Sequence, residues 1–146
     1  MIPPFRADGA LPEGLHAATW DEVRNRFGGS ERRENLLDGI HRALIALAEA
    51  VCQRFYLDGS FVTSKREPAD WDGCYDDTAC AEDVLTLAFY MDVSEFPRFQ
   101  KRRYGGELYP ALWEALGQGM TFLDLFQMRH ERRPTGIVMI DPRSAL

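Results

Sequence analysis

Apolar positions along the chain follow two periods, one helical and one extended. From residue 36 onward, Leu36, Leu37, Ile40, Leu44, Leu47, Ala48 and Val51 recur at three- and four-residue steps. That spacing gathers them on one face and predicts a long helix over roughly 31–53, capped by Ser30. Ahead of it, Thr19-x-x-Glu22 is a capping-box pattern that opens a short helix over Trp20 to Phe27, stopped by Gly28-Gly29. Residues 1–18 carry Pro3, Pro4, Gly9, Pro12 and Gly14, so they read as an extended N-terminal arm, pinned to the domain by Phe5 and Leu11. His41 lies near the apolar face of the long helix and reads as a structural histidine, not a ligand.

Past the long helix the pattern turns strand-like. Residues 54–58 form the first strand, Gly59-Ser60 a turn, and Phe61 to Ser64 one helical turn, with Lys65 to Pro68 as a loop. Asp70 to Tyr75 is the second extended segment. A helix over about 79–91 follows, with Val84, Leu85, Leu87, Ala88 and Met91 as its buried side and Asp76 and Asp77 at its N-terminus. Ser94 to Arg103 mixes Arg98, Lys101, Arg102 and Arg103 with Phe96 and Phe99, and Tyr104 follows. This is either a solvated helix face or a contact for a nucleotide tail or RNA. Gly105 to Pro110 reads as a loop, and 111–119 has no clear period. Residues 121–126 fit a strand or a helix. Pro134 and Gly136 flank a hairpin reversal with His130 exposed beside it, leading into a strand over Ile137 to Ile140. Helices and strands in this order give an α+β fold, a small mixed sheet flanked by helices.

At 146 residues the chain is one domain, 1–146, long enough for a hydrophobic core without staples. A net charge of −6 argues against a general nucleic-acid coat but leaves room for a local basic groove. The three cysteines, Cys52, Cys74 and Cys80, lack Cys-x-x-Cys spacing, and an odd count gives no disulfide framework. A reducing cytoplasm fits. No stretch approaches the length of a membrane span, and the start lacks the apolar region of a signal peptide.

The candidate chemistry sits in Tyr56-Leu57-Asp58-Gly59-Ser60-Phe61-Val62-Thr63 and in Asp70-Trp71-Asp72-Gly73-Cys74-Tyr75. In an extended segment Asp70 and Asp72 face the same way and Trp71 the other. Two carboxylates so close favour a proton or a hard cation, and Mg²⁺ suits them because it keeps positions for substrate phosphates. Gly59 lets backbone approach a ligand, and a helix starting at Ser60 would aim N–H groups at phosphate. Lys65 and Arg66 are candidate phosphate contacts across the loop.

A hydrophobic strand, Gly-Ser, about ten residues and then Asp-x-Asp resembles the signature of the polymerase-β-like nucleotidyltransferase superfamily. Nine residues, Phe61 to Ala69, separate Ser60 from Asp70, although Asp58 stands where that superfamily is usually apolar. The chain also resembles a small bacterial and phage-associated family of nucleotidyltransferase-like domains. That likeness spans Ile2 to Phe5, the Leu57 to Thr63 turn with its Asp58, Asp72-Gly73-Cys74, Tyr104 to Leu108 and Pro134 to Asp141. The first resemblance implies Gly59 and Ser60 as NTP-binding residues, with the loop cation Lys65 as a candidate beside them, Asp70 and Asp72 as catalytic Mg²⁺ ligands, and a third acid on a later strand. Asp124 is favoured slightly over Asp141 for that third role. The implied activity is transfer of a nucleoside monophosphate from an NTP to an RNA or protein hydroxyl, in a toxin–antitoxin or phage-defence setting. The alternative is a non-catalytic relative acting as antitoxin, nucleotide sensor or interaction module with a partner protein. A metal-dependent phosphoryl hydrolase is a third, weaker reading.

Overall fold

The N-terminal arm does not stay outside the sheet. Its last residues, Gly14–Ala18, form β1, which pairs in parallel with Gly136–Ile140, the last strand of the chain. The computed structural model describes residues 1–90, 98–115, 117, 119–128 and 134–146. The expectations placed on Met91, Ser94, Phe96 and His130 lie outside these.

Between those strands lie β2 (Phe55–Asp58), β3 (Trp71–Tyr75), β4 (Gly106–Pro110), and a short pair β5 (Glu114–Ala115) and β6 (Met120–Thr121), so the final strand is β7. The main sheet runs β1-β7-β2-β3-β4. It is mixed: β2 lies antiparallel to both neighbours, while β1 with β7 and β3 with β4 are parallel. The helices are α1 (Trp20–Phe27), α2 (Glu31–Glu49), α3 (Glu82–Phe89), α4 (Arg98–Tyr104) and α5 (Phe122–Phe126). The chain is thus an α+β protein with a mixed sheet and flanking helices.

Alternation along the strands divides the sheet into two faces. Phe55, Leu57, Trp71, Tyr75, Leu108, Val138 and Ile140 point into the larger core, under Leu37, Ile40, Leu44 and Leu47 of α2. Tyr56, Cys74, Tyr109 and Ile137 point to the other face. There α5 covers them with Phe126, and Phe122 stacks on Tyr109 at 4.3 Å. At one end of that second face the apolar row gives way to acids, and there the candidate site lies.

Local signals explain most of the helix ends. Thr19 and Glu22 close the expected capping box on α1, and Ser30 accepts from the Arg33 N–H at the start of α2. His41 stacks on Trp20 at 5.5 Å, and its Nε2 lies 3.0 Å from the Ala145 carbonyl, a structural role as expected. Phe5 packs on Phe27 and Leu11 is buried, so the arm is pinned by the two predicted residues.

Several expectations need correction. The long helix stops at Glu49, because Val51 takes a left-handed φ of 62° and turns outward, letting Cys52 enter the core. Cys52 is bonded to Cys80 as a disulfide, with Cα atoms 4.9 Å apart. The cysteine argument for a reducing compartment therefore falls. No helix among the described residues is long and apolar enough to cross a membrane. Asp76 does not cap the next helix: it accepts from the backbone N–H of Thr78 in a local turn, and α3 starts at Glu82 behind Ala81. Leu87, expected on the buried side of that helix, is exposed. Gly106 to Pro110 is a strand, where a loop was expected. Residues 122–126 are helical, so β7 has no hairpin partner there and pairs with β1 and β2.

Candidate functional site

The β2–β3 pair builds the site. Its register places Asp58 directly opposite Asp72, and the parallel pairing of β3 with β4 places Asp72 opposite Glu107. Partners in register share a face, and directly opposed antiparallel residues have Cβ atoms only about 5 Å apart. Three carboxylates from three adjacent strands therefore form one row. Asp58 is buried, and Asp72 and Glu107 are half-buried.

Gly59 follows Asp58 with φ 89°, a conformation that suits glycine. A Cβ there would sit 2.9 Å from Asp72 Oδ2 and 3.2 Å from its backbone nitrogen. The turn thus lies directly against the carboxylate, which only the absent side chain permits. After it the chain makes the single helical turn expected there, as a 3-10 turn over Ser60–Val62, closed by bonds from the Val62 N–H to the Gly59 carbonyl and from the Thr63 N–H to the Ser60 carbonyl.

Asp58, Gly59, Ser60, Asp70 and Asp72 line one cleft of about 360 Å³. Trp71 points the other way as alternation requires: it is fully buried, and its Nε1–H donates to the Tyr104 carbonyl at 2.8 Å. The rest of the wall was not singled out in the sequence as part of a site. Ala10 and Leu11 come from the arm, and Thr135 and Gly136 from the start of β7. The Gly136 N–H donates to the Leu11 carbonyl at 3.0 Å, and the Ser64 N–H to the Gly9 carbonyl at 2.9 Å, so the arm is hydrogen-bonded into the cleft wall.

Asp70 has a cationic neighbour. Lys101 of α4 places Nζ 3.2 Å from Asp70 Oδ2 and 3.2 Å from Glu107 Oε1. The hydrogen bond to Asp70, and then that to Glu107, raise the lysine pKa above its ordinary value. Glu107 also accepts from the Tyr109 hydroxyl at 2.7 Å. Burial, reinforced by Glu107, pushes the Tyr109 phenol up, so it remains a donor. Cys74, next along the same face from Asp72, is buried and its thiol is pushed well up by that burial and by Asp58. A thiol so placed is inert, not nucleophilic.

The other sequence candidates lie elsewhere. Asp124 is exposed; its carboxylate accepts from the Thr121 N–H while Thr121 accepts from the Asp124 N–H, a capping box for α5. It lines a separate cleft with Glu13 and Met120. Asp141 follows the far end of β7, where it caps the terminal 3-10 turn and pairs with Arg143 at 2.7 Å. Lys65 is exposed and lines neither this cleft nor the neighbouring one; its carbonyl accepts from Arg33. The structure therefore brings together Gly59, Ser60, Asp70 and Asp72 and leaves out Asp124, Asp141 and Lys65. It adds Asp58 and Glu107, which only the strand register reveals.

The polar side chains that line the cleft offer only oxygens, the chemistry of a hard cation. No group of three His, Cys, Asp or Glu side chains among the described residues is arranged to hold a metal ion by itself.

The chain belongs to a family of unknown function (DUF6932), whose match covers residues 3–141. No curated protein and no solved structure matches it.

Proposed function

We propose that the chain is a Mg²⁺-dependent nucleotidyltransferase, which moves a nucleoside monophosphate from an NTP to an RNA or protein hydroxyl. One observation carries this reading. Asp70 and Asp72, with Asp58 directly across the strand pair, line one cleft together with a glycine turn that leaves no room for a side chain.

Asp72 and Asp70 would hold the ion, with Asp58 behind them. Mg²⁺ held there would neutralise charge on the phosphate oxygens. The Gly59–Ser60 backbone would lie along the triphosphate. In the transfer the acceptor oxygen bonds to the α-phosphorus, and the bond from that phosphorus to the oxygen that bridges it to the β-phosphorus breaks. Pyrophosphate leaves with the electron pair, and a cleft carboxylate takes the acceptor proton. Asp58, buried and directly across the strand pair from Asp72, is the carboxylate placed for that last task. The work of such a site is mostly position and charge.

A second reading has its own support. Lys101 already neutralises Asp70 and Glu107, and neither acid expected from the later chain reaches the cleft. A non-catalytic relative, serving as a nucleotide sensor, an antitoxin or an interaction module for a partner protein, would keep such a closed charge network. A toxin–antitoxin or phage-defence role rests on the sequence resemblance alone.

The deciding experiment is the melting temperature of wild type and of Asp70→Asn/Asp72→Asn with Mg²⁺ and each NTP in turn. A ligand at a hundred times its Kd adds about 2.7 kcal/mol to the folded state. A Mg²⁺-dependent rise with one NTP, lost in the variant, is expected. No rise with any NTP would sink the transferase reading, and the nucleotide sensor with it, in favour of an antitoxin or interaction module.

A further inference from the structure

A second and larger cleft, about 950 Å³, opens between α2, the segment before β3, and α4. Arg32 and Arg42 enter it from α2, and Lys101 and Arg102 from α4, against the acids Glu31, Glu67 and Asp70. In a chain of net charge −6 this wall has more cations than acids. Two of its acids are already engaged, and so are two of its cations, Lys101 and Arg102. Asp70 pairs with Lys101, and the charge of Glu67 acts on the buried guanidinium of Arg33. Arg42 is held in place by bonds from Nε at 3.3 Å and Nη2 at 3.1 Å to the Arg103 carbonyl, so its charge is positioned in advance. Asp70 lines both clefts, which makes them continuous at that residue. An anionic chain lying along the cations would therefore end over the acid row.

We propose that this cleft seats a single strand of RNA, its phosphodiesters against Arg32, Arg42 and Arg102 and one end delivered to Asp70. The inference rests on the transferase reading, for which it names the acceptor. A strand suits the site better than the nucleotide's own triphosphate, because the cations are spread over two helices and line a cleft that shares Asp70, but not the Gly59–Ser60 turn, with the first. Lys101 stands at the junction. Its ammonium faces Asp70 and Glu107 on one side and the cation wall on the other, so an arriving phosphate competes with Asp70 for it.

The test is fluorescence anisotropy of a short labelled single-stranded RNA, titrated with the full chain at several salt concentrations. Wild type is expected to bind with an affinity that falls as salt rises, by a log–log slope of about 0.7 for each phosphate neutralised. Arg32→Glu/Arg102→Glu is expected to weaken binding at least about tenfold and to flatten that slope. Its unchanged melting temperature without ligand would show that the fold survives. Salt-independent or absent RNA binding by wild type, or equal binding by the double variant, overturns the proposal. A cleft that takes an acidic protein segment instead gives that same negative result. The Mg²⁺ and NTP melting experiment reads the acid cleft separately. A nucleotide-dependent rise without RNA binding refutes this inference alone, and RNA binding without such a rise refutes the transferase reading.

Discussion

At the scale of single residues, Arg33 does most to hold the site's loop in place. It sits in the first turn of α2 and is only 8 % exposed. Its guanidinium donates to the carbonyls of Phe27 at 3.1 Å, Phe61 at 2.8 Å and Thr63 at 2.9 Å, and also to that of Lys65. It also lies over the Phe61 ring at 5.2 Å. Carbonyls in the segment after Gly59–Ser60 are thereby satisfied by one side chain, and burial lowers the arginine pKa without discharging it. Arg33→Met leaves those acceptors without their donor and is expected to cost about 3 kcal/mol in urea unfolding. Arg33→Lys should recover little, since one ammonium cannot span the same carbonyls. A lysine variant as stable as wild type would refute this account.

At the scale of elements, α5 decides between two roles for Asp124. In the sequence the residue lies between hydrophobics, a context that suits an acid presented from a strand. The structure makes the stretch a five-residue helix and uses the carboxylate to cap it. Asp124→Ala should therefore lower stability by about 1 kcal/mol, and any Mg²⁺- and NTP-dependent stabilisation should stay intact. Loss of that stabilisation in a still-folded variant would return Asp124 to the site. The same comparison shows what was legible. The capping box at Thr19, the cap at Ser30 and the Gly59 turn are local signals, and they could be read directly. The Asp58–Asp72–Glu107 row is not local: it depends on strand register and on β4 being a strand, although Gly105-Gly106 reads as a loop. Gly106 is there because a Cβ would fall 2.3 Å from Trp71, a packing demand that no sequence period announces. The Asp70–Asp72 alternation was legible because neighbours two apart on an extended segment need no tertiary information.

At the scale of the whole molecule, stability should fall at both ends of the pH range, for opposite reasons. Hydrogen bonds from Thr19, Thr78 and Arg143 respectively hold Glu22, Asp76 and Asp141 below the usual carboxylate range. Their contribution is present above the unfolded value of about 4 and is lost as pH drops through the lowered folded values. Lys101 works the other way: its contribution is fully present below the unfolded value of about 10 and is lost as pH rises through the raised folded one. Urea midpoints across pH should trace a plateau with both shoulders, and Asp141→Asn should shrink the acid one. The disulfide acts on the unfolded chain. Cys52 and Cys80 are 28 residues apart, and opening a loop of that size is expected to cost up to about 3.5 kcal/mol. Cys52→Ser/Cys80→Ser should melt earlier than wild type under oxidising conditions, and the two should coincide once wild type is reduced.

The strand order also sets a schedule for biosynthesis. β7 lies between β1 and β2 in the interior of the sheet, yet it is translated after both of them. Until residues 136–140 leave the ribosome, β1 has no partner and β2 keeps an open edge. Thr135 and Gly136, at the start of that strand, are also part of the acid cleft's wall. A nascent or prematurely terminated chain therefore has an incomplete cleft, and whatever chemistry the acid row performs is withheld until the last strand has been made.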